Sequence, residues 1–295
     1  MNFFKSLFGN KPENEVEKRQ EEEQKNFEVL KYDGLRALKT NEIDYALRCF
    51  SHALELQDDL QTRDYYSQAL MRNNDMVGAY EQLQKLAEAE PGNLQIFIRM
   101  ADVAYMMENY AEMSNSCEKA MLIDAENPQV LYYYAKACIG QGDQTNAVAM
   151  LTKAIMLKED AYEAYLLRGE TLLDTGDLDA ANEDAVYLME HLSDNEEAVL
   201  LKARIEKKKE NLVEAITYYN KVIEVNPFCL PAFQERGPLR IQTGDEAGGN
   251  EDAKTAAELQ VQLDAAQAEG ASEEGIEQQV KQAYKNVDAY GVFGN

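Results

Sequence analysis

PQVLYYYAKACIGQGDQTNAVAMLTKAIMLKEDA, residues 128–161, is the stretch on which the fold turns. Leu131 and Ala135 share one helical face, Gly142-Asp143 is turn chemistry, and Ala147, Leu151 and Ala154 form a second helical face. The pattern recurs along the chain. Gly34, Ser67, Ala101, Ala135, Gly169, Ala203 and Gly237 are separated by one step of 33 residues and then by five of 34. Two parallel series keep the same steps: Ala46, Ala79, Met113, Ala147, Ala181, Ala215, Gly249, and Ala53, Leu86, Ala120, Ala154, Leu188, Val222, Ala256. A period in this range is the mark of stacked helix pairs.

Each period reads as helix, turn, helix. The turns fall at Asn41-Glu42, Asn74-Asp75, Glu108-Asn109, Gly142-Asp143, Gly176-Asp177, Glu210-Asn211 and Gly244-Asp245. Gly or Asn accepts a left-handed backbone after the first helix, and Asp or Asn caps the second. Small residues mark where two helices approach closely, and bulkier ones such as Leu30, Phe97, Leu131, Tyr165, Val199 and Phe233 fill the faces between. A single unit cannot bury its apolar face and must stack on its neighbours. Pro91 and Pro227 fall just beyond second helices, where proline stops a helix.

The units resemble tetratricopeptide repeats. Gly34/Ala46/Phe50/Ala53, Ala79/Leu83/Pro91, Ala135/Ala147/Leu151/Ala154 and Ala215/Tyr219/Pro227 occupy that family's small, Ala, aromatic-or-Leu and Pro places. The resemblance covers residues 27–263, as units 27–59, 60–93, 94–127, 128–161, 162–195, 196–229 and a degenerate 230–263. It implies an all-α, right-handed α-solenoid of about seven helix pairs. No unit has the family's usual Trp, and Met113 replaces one Ala. Pro238 and Gly248-Gly249 predict a bent or loosely packed seventh unit.

Two segments flank the array. Residues 1–26 are an amphipathic start, with Phe3, Phe4, Leu7 and Phe8, followed by a charged lead-in that extends the first helix into solvent. Residues 264–295 read as an acidic linker and a C-terminal capping helix, with Ile276, Val280, Ala283, Tyr284 and Val287 on one face. The alternative places that last segment in the repeat's own groove. Lys5 breaks the N-terminal apolar stretch, so it is not a secretory signal. Docking of residues 1–8 on the protein itself, or their disorder, is preferred to membrane contact through them.

Composition narrows function. With 54 acids against 29 bases the net charge is −25, which excludes a dedicated nucleic-acid binder. The cysteines Cys49, Cys117, Cys138 and Cys229 lack metal-site spacing, and with only His52 and His191 no histidine-based catalytic pair is indicated. No cofactor is expected, and free thiols suit the cytoplasm. The expected function is a non-enzymatic scaffold or adaptor that holds a partner protein's peptide or helix. Alternatives are an accessory subunit of an enzyme, or a membrane-associated assembly factor tethered through its Phe-rich N-terminus. The family's concave groove is lined by first helices, which here selects Ile98, Asp102, Tyr105, Tyr132, Lys136, Ile139, Leu166, Glu170 and Arg204. The same places include Asp64. The carboxylate clamp of chaperone-binding relatives is not reproduced, because Lys31 fits its first place but Leu35 stands where its first Asn belongs.

Overall fold

The computed structural model describes residues 11–192 and 195–270. The N-terminal Phe3–Phe8 cluster and the capping helix expected around 276–287 lie outside the described residues. Among the described residues the elements are all α-helices: α1 (Lys11–Thr40), α2 (Ile43–Leu56), α3 (Leu60–Arg72), α4 (Met76–Ala89), α5 (Leu94–Met106), α6 (Tyr110–Ile123), α7 (Pro128–Gly140), α8 (Gln144–Leu157), α9 (Tyr162–Thr175), α10 (Leu178–His191), α11 (Glu196–Lys208), α12 (Leu212–Val225), α13 (Leu230–Gln242) and α14 (Glu246–Gly270). Odd-numbered helices are the first helices of the repeat and even-numbered ones the second. The chain divides into two compact units, one holding α1–α5 up to Met107 and the other α6–α14 from Glu108.

Turn chemistry sets the helix boundaries. One or two residues after each first helix the backbone turns left-handed, at Asn41, Asn74, Glu108, Gly142, Gly176, Glu210 and Gly244, with φ between 53° and 94°. Glu108 and Glu210 do so despite their Cβ, which the Gly-or-Asn rule did not anticipate. Asp75, Asn109, Asp143, Asp177 and Asp245 then cap the following helix through the side chain. Asn211 does not cap. Its amide is committed to Glu206 Oε2 at 2.8 Å, leaving the first turn of α12 without a side-chain acceptor from Asn211.

The core is a chain of overlapping clusters, each joining a helix pair to the next first helix. In the first unit, Ala37, Leu38, Ala46, Phe50 and Ala69 bind α1, α2 and α3 together. In the second, Leu131, Ala147, Leu151 and Ala154 of α7 and α8 meet Ala164 of α9. Leu172, Ala181 and Ala185 meet Leu201 and Ile205 of α11. Val199, Ala215 and Tyr219 meet Ala232 and Leu239 of α13. Stability within each unit is therefore carried by nearest-neighbour burial.

Buried ion pairs lock these layers, and the sequence pattern did not reveal them. Arg168 grips Asp184 through Nε at 2.9 Å and Nη2 at 2.6 Å, and reaches Thr152 of the preceding second helix. Two repeats on, Arg236 grips Asp252 at the same two distances and reaches Asn220. The three positions are equivalent in both cases, so this is a repeated latch. In the first unit, Arg99 of α5 pairs with Asp64 of α3 and donates to Ser67 Oγ at 2.7 Å.

The seventh unit departs from expectation. α13 runs unbroken through Pro238. Proline removes the i+4 donor from the Gln234 carbonyl, and both residues line an open groove. Gly249 does not loosen α14 but lets it close on α13, since a Cβ there would lie 2.7 Å from the Gly237 carbonyl oxygen. Beyond it, residues 250–269 contain no Gly or Pro, and α14 continues through the expected boundary at 263 to Gly270. At the other end α1 begins at Lys11, with residues 15–26 exposed.

Candidate functional site

The nine groove residues divide between the two units. On α5, Asp102 is half-buried and Tyr105 exposed, but Ile98 is only 2% exposed. Ile98 is therefore core, and its assignment to a contact surface is corrected. It occupies the fifth place of its repeat, as does Asp64, which is equally buried because Arg99 reaches back to it.

In the second unit that place is partly open. Tyr132 and Lys136 are one turn apart on α7, with the Lys136 ammonium 5.7 Å from the Tyr132 ring centroid. This is cation–π distance, and it holds the long lysine chain alongside an aromatic surface. Ile139 continues the row, partly buried against the Leu131–Leu151 cluster. On α9, Leu166 is partly buried against Leu172 and Leu201, and Glu170 stands one turn further on. These first-helix positions thus carry an aromatic ring and a cation on α7 and an aliphatic side chain and a carboxylate on α9.

Glu170 is the unusual member. Burial pushes its carboxyl pKa up, the positive field of Arg204 opposes this, and Glu197 and Asp174 add to the rise. No hydrogen bond or ion pair from the described residues reaches it. Its folded pKa lies above its unfolded value, so its favourable contribution is complete below the unfolded pKa and disappears as pH rises through the folded one. Ionised Glu170 thus costs stability at neutral pH. Glu170→Gln is expected to melt at a higher temperature than the native chain at pH 7, with the difference closing near pH 4. Thermal unfolding at the two pH values checks this, and an unchanged or lower neutral melting temperature contradicts it.

Arg204 is committed elsewhere. Its Nε and Nη2 donate to Glu235 Oε1 at 3.0 and 2.8 Å. Tyr219 donates its hydroxyl to Glu235 Oε2 at 2.8 Å, and Lys207 approaches the same oxygen at 3.3 Å. Burial would raise the Glu235 pKa, but these partners outweigh it and hold the carboxyl below its ordinary range. Arg204, partly exposed, is accordingly a tie between α11 and α13. Glu235 was missed because it lies outside the groove places; the large Tyr219 beside it was the available signal.

Other candidate groups are accounted for by packing. Burial raises the thiol pKa of Cys138 and pushes that of Cys117 up to about 12, which makes both poor nucleophiles at neutral pH. His191 stacks on Tyr187 at 4.0 Å. Lys31, the lone match to the carboxylate clamp, is held by Asp59 at 2.9 Å. Among the described residues no helix is long and apolar enough to cross a membrane.

The family model described as "Tetratricopeptide repeat" matches residues 196–229, which hold α11 and α12. A tetratricopeptide repeat protein from Parabacteroides merdae superposes with a TM-score of 0.61 at 18% identity, over 79% of this chain and 93% of that one. The chain has the tetratricopeptide repeat solenoid fold, and one of its units matches the family model. YrrB, described as a TPR protein with an unusual peptide-binding site, is similar over 63% of this chain and 97% of its own, with a TM-score of 0.53 and 22% identity. Pseudomonas aeruginosa PilF is similar over 72% and 97%, with a TM-score of 0.55 and 16% identity. At these identities the likeness is one of fold. No curated protein matched in sequence. The tetratricopeptide repeat fold supports protein–protein interaction as the general class of function.

Proposed function

We propose that this chain is a non-enzymatic scaffold that holds an extended segment or helix of a partner protein on the first-helix face of its second unit. The observation that carries this reading is the set of partly open first-helix side chains Tyr132, Lys136, Ile139, Leu166 and Glu170. Its aromatic and aliphatic members supply contact area at low ordering cost, and its two charged groups fix orientation. Glu170 favours a partner with a cationic side chain at that point, because a counter-charge relieves the cost of its ionisation. The peptide-binding site of YrrB adds support at the level of fold. In the first unit, Asp102 and Tyr105 on α5 form a separate candidate surface.

The test is a paired substitution. Tyr132→Ala with Lys136→Glu removes ring and cation from partly exposed positions, so the melting temperature should change little. Affinity for a partner captured by the native chain should fall at least about tenfold, or ~1.4 kcal/mol. Undiminished affinity would place the binding surface elsewhere.

A further inference from the structure

α1 presents to solvent a face that the later first helices of its unit keep covered. By the repeat, Val29, Tyr32 and Arg36 of α1 correspond to Thr62, Tyr65 and Ala69 of α3 and to Ile96, Arg99 and Val103 of α5. Thr62, Ala69, Ile96 and Val103 are fully buried, and the Tyr65 ring lies 6.0 Å from that of Phe50 on the preceding second helix. Among the described residues no helix pair precedes α1. Val29 is 58% exposed, Tyr32 66% and the Arg36 side chain 73%. The uncovered face continues towards the start of α1 through exposed Lys25 and Glu22. The stripe Glu22, Lys25, Val29, Tyr32, Arg36 advances by alternating steps of three and four, which keeps it on one side of the helix over about 21 Å.

We propose that this stripe is the interface between two copies of the chain, their α1 helices antiparallel about Val29. The fold itself supplies the direction. α2 packs on the following α3, and the three-residue connection 57–59 makes those two helices antiparallel. An antiparallel α1 from a second copy therefore enters with the direction of the second helix that α1 lacks. Charge selects the occupant. Turning the stripe about Val29 sets each residue against the one equally far on the other side, so Glu22 meets Arg36, and Lys25 meets Tyr32 and Asp33. Every charge on the stripe then faces an opposite charge or an aromatic ring. The Arg36–Asp33 contact at 3.1 Å uses one guanidinium nitrogen and leaves the others for Glu22. At a net charge of −25 two copies repel at a distance, and a self-complementary stripe is what allows this face to pair with itself. With one valine and one tyrosine from each copy, the dimer is reversible and not obligate.

The test is sedimentation velocity of the full chain over a range of concentrations. The native chain should pass from monomer to dimer as concentration rises. Glu22→Arg sets two arginines against each other and should raise the dimer dissociation constant at least about tenfold, and Glu22→Arg with Arg36→Glu should restore it. Val29→Asp should weaken the dimer as much, while the melting temperature of dilute protein changes little, since Val29 is exposed in each copy. Leu122→Asp, at an exposed apolar position of the second unit, should leave the dimer unchanged. A native chain that stays monomeric at every concentration would overturn the proposal and leave the face to a different protein. A dimer that neither Glu22→Arg nor Val29→Asp weakens would overturn it by placing the contact elsewhere. A charge swap that fails to restore association would overturn the antiparallel pairing.

Discussion

Asp64→Ala is expected to destabilise the first unit by about 3–5 kcal/mol, the range for breaking a buried ion pair from one side. The Asp64 and Arg99 side chains are 3% and 6% exposed, so little solvent screens them. Asp64 also accepts from Gln68, and Arg99 donates to Ser67. With the carboxylate gone, the guanidinium stays buried with a single hydroxyl as acceptor. The combined Asp64→Leu and Arg99→Met variant is expected to cost much less, because no orphaned charge remains. Hydrogen exchange of α3 and α5 alongside urea unfolding separates the two cases. A cost of the single variant below about 1 kcal/mol, or a double variant as damaged as the single, would remove this pair from the account.

Ala147→Trp is the second large effect. Ala147 is fully buried among Leu131, Ala135, Leu151 and Ala154, where α7 and α8 cross. Overpacking a filled core costs about 1–3 kcal/mol and occasionally more, and an indole at a helix crossing belongs at or above the upper end. Ala149→Trp, two residues away and exposed, should lie within about 0.5 kcal/mol of the native chain. Equal denaturation midpoints for the two variants would contradict the place of Ala147 in the repeat.

The repeat was legible because its determinants are local. Small residues at Ala135 and Ala147 and the Gly142-Asp143 turn all lie within one unit, and together they specify the backbone. Pairings between side chains depend on two or three units at once. Nothing within the 196–229 unit shows that Arg204 will spend its donors on Glu235, or within 60–93 that Arg99 will cover Asp64. That is why Ile98 was misplaced while Tyr132, Lys136, Leu166, Glu170 and Arg204 are partly open. Pro238 leaves α13 unbroken. Helix propensity counts a lost hydrogen bond, but its cost depends on whether the orphaned carbonyl can reach water. The glycine pair was misread because propensity omits the close approach that Gly249 permits.

The central claim, that a partner lies on the first-helix face of the second unit, is open to one direct measurement. A photo-crosslinking residue is placed at Leu166 on α9 in one sample and at Leu122 on α6 in another. Leu122 is 88% exposed on a second helix, so accessibility alone favours it over the partly buried Leu166. The account predicts that a captured native partner crosslinks through position 166 and not through position 122. Crosslinking through position 122, with none through 166, would contradict it.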